Sequence, residues 1–199
     1  MVQLLVAILL LIIMLLLLMI IVGFFFFLFD IFLELPYVAT KRHKIDTIIK
    51  FAQIKPGQTV VDLGAGDGRL LIASAQKGAN AIGYEINPFL ILITRIRAHF
   101  LSLRSASWRR SSLKRGDHHG HQDDLAMTGK VIVYKSNLWR ADLAVADVVF
   151  VYGRRKTMQK FQDFVYKNAR SGTRVIVNTN PFPNKKYVKS ENGIFLYKI

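Results

Sequence analysis

The first 29 residues of this 199-residue chain carry no charged side chain, and from Val2 to Phe29 only Gln3 and Gly23 interrupt an apolar run. In hydrocarbon the backbone groups of such a run must bond to one another, which leaves a helix as its structure. As a helix it would reach about 42 Å at 1.5 Å per residue, against a hydrocarbon core of roughly 30 Å. A secretory signal has a basic n-region, a shorter apolar core and a small-x-small cleavage site, and this run matches none of these. Residues 1–33 are therefore expected to form an uncleaved, single-pass transmembrane anchor helix. All 28 Lys and Arg residues lie after Thr40. Because Lys41, Arg42 and Lys44 follow the span so closely, the positive-inside rule places the rest of the chain on the cytoplasmic side.

Residues 34–199 are long enough to form one domain with its own core. From residue 36 on they hold all 28 basic and 11 acidic residues, a formal charge of +17. The chain has no cysteine, which excludes disulfides, thiolate metal sites and a cysteine nucleophile. Thr40 is expected to cap a helix reaching about Gln53, on which Ile45, Ile48, Ile49 and Phe51 fall near helical spacing. Beyond Lys55-Pro56-Gly57, Thr59 to Leu63 reads as a strand, Gly68 to Gln76 as a helix and Ala81 to Ile86 as a second strand, which together make a βαβ unit. An apolar helix is predicted from Pro88 to about Leu103, followed by a hydrophilic, basic loop insert at about 102–130. Three more strands are predicted at Val131 to Tyr134, Asp147 to Tyr152 and Thr173 to Asn178, with a helix at about Lys156 to Ala169. Lys186 to Lys189 and Ile194 to Lys198 flank Glu191-Asn192-Gly193, and Asn-Gly favours a tight hairpin turn. This order predicts an α/β fold: an open, mostly parallel sheet with helices on both faces and an antiparallel C-terminal hairpin.

The stretch Val61-Asp62-Leu63-Gly64-Ala65-Gly66-Asp67-Gly68-Arg69 sits where a strand ends and a helix opens, which is where an α/β sheet binds its ligand. Its G-x-G-x-G spacing differs from the dinucleotide G-x-G-x-x-G, and it lacks the G-K-[ST] ending of a P-loop. An acid two residues before the first glycine suits a ligand with an α-ammonium, and S-adenosylmethionine has one. Glu85 closes the second strand, in position to accept hydrogen bonds from both ribose hydroxyls. A glycine turn alone would be no more than a tight strand-to-helix connection; Asp62, Glu85 and the βαβ context make it specific.

At these residues the sequence resembles the class I S-adenosylmethionine-dependent methyltransferases over nearly all of residues 36–199. Within that class it is most similar to the membrane-anchored lysine N-methyltransferases that modify the ATP synthase c-ring protein or the adenine nucleotide translocase, and to their prokaryotic relatives. The shared features are an N-terminal span, Pro36-Tyr37-Val38, VDLGAGDGR, GYEINP at Gly83 to Pro88, and the helix of Arg95 and Arg97. They continue with Asn137-Leu138-Trp139, DVVFVYG at Asp147 to Gly153, and Pro181-Phe182-Pro183. The chain departs from the family at Ala39, where a proline is usual, at Asn137, where an Asp is usual, and in the length of its 102–130 segment. The resemblance implies a Rossmann-like seven-stranded sheet with S-adenosylmethionine as cofactor. It also implies that Asp62, Gly64, Gly66 and Glu85 hold the cofactor, that Asn137 and Leu138 flank the adenine, and that Tyr37 forms part of a lid. An Asn at 137 still offers the adenine amine a side-chain oxygen. Tyr152 and Asn180, at strand ends, are the candidates for lining the acceptor channel.

The Asn180-Pro181-Phe182-Pro183 loop is similar to the [DN]-P-P-[YF] loop of enzymes that methylate exocyclic or amide nitrogens. That loop follows the fourth strand, whereas this one follows the fifth, which argues against such chemistry. His118-His119-Gly120-His121-Gln122-Asp123-Asp124 reads as a solvated loop, and no metal is expected. Arg104, Arg109, Arg110, Lys114 and Arg115 form a basic stretch. On a tethered domain anionic lipid headgroups explain it better than nucleic acid does. The expected function is methyl transfer to a protein lysine at the membrane. The alternatives are a small-molecule or lipid methyltransferase, or an inert cofactor-binding membrane module.

Overall fold

The computed structural model describes residues 1–32, 38–115 and 129–199, with side chains throughout except at 26–32 and 104–115. The chain divides into two compact units, Met1–Val38 and Ala39–Ile199. Among the described residues the first contains one helix, α1 (Val2–Phe32), of which Val2–Phe25 is long and apolar enough to cross a membrane.

The second unit is a seven-stranded sheet in the order β3-β2-β1-β4-β5-β7-β6. Its strands are β1 (Thr59–Leu63), β2 (Asn80–Glu85), β3 (Val131–Lys135), β4 (Val148–Tyr152), β5 (Arg174–Asn178), β6 (Lys189–Glu191) and β7 (Ile194–Lys198). The first five pair in parallel, and β7 runs antiparallel to both β5 and β6. β1, β4 and β5 are almost wholly buried apolar runs, as strands covered on both faces must be. On one face α2 (Arg42–Ala52) sets Ile48, Phe51 and Ala52 against Val60, Val148, Phe150, Ile176 and Ile194. The crossovers are α3 (Arg69–Ala75), α4 (Pro88–Arg115) and α5 (Met158–Asn168), and α5 buries Met158, Phe161 and Val165. The expected α/β architecture is thus the observed one, including its hairpin. Asn192 and Gly193 both have positive φ, 53° and 69°, as a two-residue primed turn requires.

Three local expectations differ from the structure. Helix α2 begins one residue later than a Thr40 cap would allow: Lys41 is its N-cap, and the Thr40 carbonyl instead accepts a hydrogen bond from Arg69 Nη1 at 2.6 Å. Strand β6 lies nearer the turn than Lys186 to Lys189, because the two-residue turn pairs Glu191 directly with Ile194. Helix α4 continues to Arg115, so residues 102–115 are helical where a loop was expected. Polarity there does not signal a loop. The segment contains no Gly or Pro and is rich in residues of good helix propensity, and the first breaker is Gly116. Residues 116–128 of the expected insert, including the histidine cluster, lie outside the described residues.

Gly83 decides how closely the site approaches the sheet. A Cβ there would stand 2.6 Å from the side chains of both Ala65 and Leu71, so the turn after β1 and the start of α3 press directly on the β2 backbone. Gly83→Val, although a better strand residue, should therefore destabilise the domain by about 1–3 kcal/mol through overpacking. Chemical denaturation of the detergent-solubilised chain checks this, and a neutral or stabilising result would contradict the packing described.

Candidate functional site

The order of the sheet reverses between β1 and β4, so a crevice opens beyond their carboxyl ends, the place where such sheets take ligands. The chain leaves β1 through Gly64, Gly66 and Gly68, whose φ values of 92°, 55° and 76° lie in the region glycine alone adopts freely. The Gly64 and Ala65 amides both donate to the Tyr84 carbonyl at 3.0 Å, which folds the turn against β2. Thr94 of α4 closes it from the other side. Its hydroxyl donates to the Gly66 carbonyl at 3.1 Å, and its side chain fills the space a Cβ on Gly68 would need.

Three carboxylates converge on this turn, and each meets a different environment. Glu85 is 8% exposed and fixed by backbone donors: Oε1 accepts from the Ile86 and Asn87 amides at 2.8 and 2.9 Å, and Oε2 from Gly66 at 2.8 Å. Asp67 takes both Arg69 Nε and Nη2, at 2.9 and 2.6 Å, and Arg97 Nη1 at 2.5 Å. Burial opposes its ionisation, but the hydrogen bonds and charges of the two arginines outweigh that and hold its pKa at about 2. Asp62 has no such relief. It is 5% exposed, and its carboxyl accepts no hydrogen bond from any described residue. Burial first, then the charges of Glu85 and Asp67, push its pKa well above the usual carboxylate range. A buried acid left in this state is the complement of a small cation.

Asn137 and Leu138 reach the same place because the Ser136 amide donates to the Glu85 carbonyl at 3.0 Å, which continues the chain past β3 toward the glycine turn. Leu138 Cδ2 stands 3.9 Å from where a Cβ on Gly64 would be. The exposed Asn137 accepts from the Trp139 amide through Oδ1 at 3.1 Å, capping the short 3-10 turn Leu138–Arg140. The structure therefore brings Asp62, Gly64, Gly66, Glu85, Asn137 and Leu138 together. Tyr37 lies outside the described residues.

Tyr152 and Asn180 form a second group, at the ends of β4 and β5. Leu63 pairs with Val151, so the half-buried Tyr152 stands level with the start of the glycine turn. Asn180 Nδ2 donates to the Gly153 carbonyl at 2.8 Å, which ties the two strand exits together. Between them Thr179 has φ 70°, and the Asn180 amide bonds the Asn178 carbonyl at 2.9 Å, a γ-turn of the strained hand on a β-branched residue. Lys44 Nζ holds this turn from α2, donating to Asn178 Oδ1 at 3.1 Å and Thr179 Oγ1 at 2.9 Å. Sequence reading missed Thr94 and Lys44, which act across the fold and leave no local pattern. It also passed over Asp67 with its two arginines, although Asp67 and Arg69 stand inside the motif itself.

The family model described as the ANTKMT methyltransferase domain matches residues 62–189, which hold every site residue named above except Tyr37 and Lys44. The chain belongs to the ANTKMT methyltransferase family. It is 31% identical over 150 residues to the human and the Xenopus laevis lysine N-methyltransferase of the ATP synthase C subunit, an alignment covering 75% of this chain and 54% and 55% of theirs. The chain thus spans about half the length of these curated relatives. A protein-lysine N-methyltransferase of Saccharolobus islandicus is 26% identical, and there the alignment covers 83% of this chain and 94% of the relative. An RNA methyltransferase of Salinibacter ruber, solved with S-adenosylhomocysteine, shares the fold with a TM-score of 0.62 at 23% identity, covering 80% of this chain and 91% of that one. S-adenosylmethionine is the cofactor of this methyltransferase, and the residues present fit it. Asp62, which accepts no hydrogen bond from a described residue, suits an α-ammonium, and the positive-φ glycines Gly64, Gly66 and Gly68 carry no side chain that would keep the cofactor from the backbone.

Two outcomes follow for this methyltransferase. The raised pKa of Asp62 means that the folded state without cofactor binds a proton the unfolded chain releases, so stability falls as pH rises from about 4 through the folded value. Asp62→Asn should therefore raise the melting temperature of the cofactor-free protein at neutral pH while lowering cofactor affinity, read by thermal melts and calorimetric titration. For Asp67 the sign is opposite. Its depressed pKa contributes stability that is complete above about pH 4 and is lost as pH falls toward about 2, and Asp67→Asn should flatten that acid limb of the stability profile.

Proposed function

We propose that this chain is a membrane-anchored protein-lysine N-methyltransferase. The observation that carries this reading is the alignment of its domain with differently named lysine N-methyltransferases, one of them matched over 94% of its length. Residues 1–33 serve as the anchor and 34–199 as the methyltransferase domain. The apolar helix of the first unit and the basic group Lys41, Arg42 and Lys44 that follows it support a single span with the domain on the cytoplasmic side. The basic stretch from Arg104 to Arg115 is then drawn to anionic lipid headgroups, and the acceptor is a protein that presents a lysine near the bilayer.

In this reading Asp62, Glu85, Gly64, Gly66, Asn137, Leu138 and Tyr37 hold the cofactor. When bound, S-adenosylmethionine supplies a methyl group on a sulfonium centre, open to in-line attack by a neutral amine. The chain's own residues then have two tasks. Tyr152 and Asn180 line the acceptor approach and fix its direction, and alignment of this kind accounts for much of the rate in a bimolecular transfer. The second task is to favour the neutral form of a lysine, which is charged in water. A slot that excludes solvent beside a cation lowers its pKa and does so without a dedicated base.

The test is to incubate the full-length protein with methyl-labelled S-adenosylmethionine and native membranes, with Asp62→Ala as control, and to separate protein, lipid and nucleic acid. Label in a discrete protein band on lysine, lost in the control, is the expected result. Label in lipid would instead identify a lipid methyltransferase, and no label despite measured cofactor binding would identify an inert binding module. With the acceptor in hand, Asn180→Ala and Tyr152→Phe should lower kcat by on the order of tenfold or more while cofactor affinity stays near its original value.

A further inference from the structure

The first half of α4 turns an apolar face outward. Phe89, Leu92, Ile93, Ile96, Phe100 and Leu103 are 38–61% exposed, whereas Leu90, Ile91 and Thr94 of the same helix are buried. At about 100° per residue the six exposed positions fall within one arc of about 100°, set well away from the buried side. Six large, contiguous apolar side chains in one stripe make the kind of exposed patch that marks an interaction surface. A helix surface facing only water would carry polar residues along this line.

The continuation of the helix indicates what covers the stripe. From Arg104 to Arg115 its sequence has five basic residues and no acid. An apolar stripe running into an acid-free basic segment is the composition of a helix lying in the plane of an anionic membrane surface. A domain on the same chain as a membrane span meets the bilayer at high effective concentration, so a modest affinity is enough for docking.

We infer that this face of α4 docks onto the anionic bilayer that holds the N-terminal helix, with the stripe from Phe89 to Leu103 entering the headgroup boundary and the basic segment on the lipid phosphates. The inference rests on the reading of Val2–Phe25 as a membrane span. Pro88 follows Glu85 by three residues, so the docked face is continuous with the cofactor turn and brings the acceptor crevice to membrane level. Substrates are then restricted to amines close to the bilayer surface.

The chain has no native cysteine, so single cysteines report one position at a time. Leu10→Cys, Ile96→Cys, Phe100→Cys and Lys186→Cys would each be labelled with a polarity-sensitive dye. The full chain would then be reconstituted into phosphatidylcholine vesicles with and without phosphatidylglycerol. The expected result is a lipid-like signal at 10 in both vesicles, a lipid-like signal at 96 and 100 in the anionic vesicles that weakens with salt, and an aqueous signal at 186. Adding Phe100→Ser to the protein labelled at 96 should lower its docked-to-undocked ratio by on the order of tenfold. Aqueous signals at 96 and 100 with residue 10 in lipid would overturn the docking and leave the anchor standing. An aqueous signal at 10 would overturn both. A signal at 96 that ignores lipid and grows with protein concentration, or arises only on adding an acceptor protein, would overturn the docking in favour of a second copy or of the substrate.

Discussion

Three carboxylates crowd the turn after β1, and the surrounding structure is arranged around their mutual repulsion. Glu85 is met by three backbone amides, which requires the chain to double back after β2 and press Gly66 against it. Asp67 is met by Arg69 and Arg97, which joins the start of α3 to α4 across the turn. Asp62 alone of the three accepts no hydrogen bond from a described residue. Had it too been met internally the turn would be more stable; in the proposed reading this unmet acid is where stability is given up for cofactor binding.

The second group of site residues is held by a different device. The strained γ-turn at Thr179 costs of order 1–3 kcal/mol, and it persists because Lys44 bonds the side chains on it and the Gly193 carbonyl takes its amide at 2.7 Å. The C-terminal hairpin is thus more than an extra strand. Its tight Asn192-Gly193 turn places the carbonyl that holds the exit of β5, and the exit in turn aims Asn180 at Gly153.

The sheet and the cofactor turn were legible because their signals are local. β1 ends where its apolar run meets glycine, the motif carries its own acids, and the Asn-Gly pair announces the hairpin. What escaped acts over long separations or contradicts composition. Thr94 and Lys44 are ordinary helix residues until the fold sets one against Gly66 and the other against β5. The polar stretch after Leu103 looked like a loop because hydrophilicity was weighed above the absence of any helix breaker. Thr40 looked like a cap because its residue type suits one, but Arg69 claims its carbonyl.

That claim has a mechanical side. Arg69 grips Asp67 through two of its nitrogens and Thr40, at the threshold of the domain, through the third. The threshold and the turn that faces the cofactor are stapled by one guanidinium, so neither can open without loosening the other. Fraying at the entrance, which in most domains is an inconsequential motion of a terminus, would here be felt at the cofactor turn, and an occupied turn would in turn hold the entrance shut.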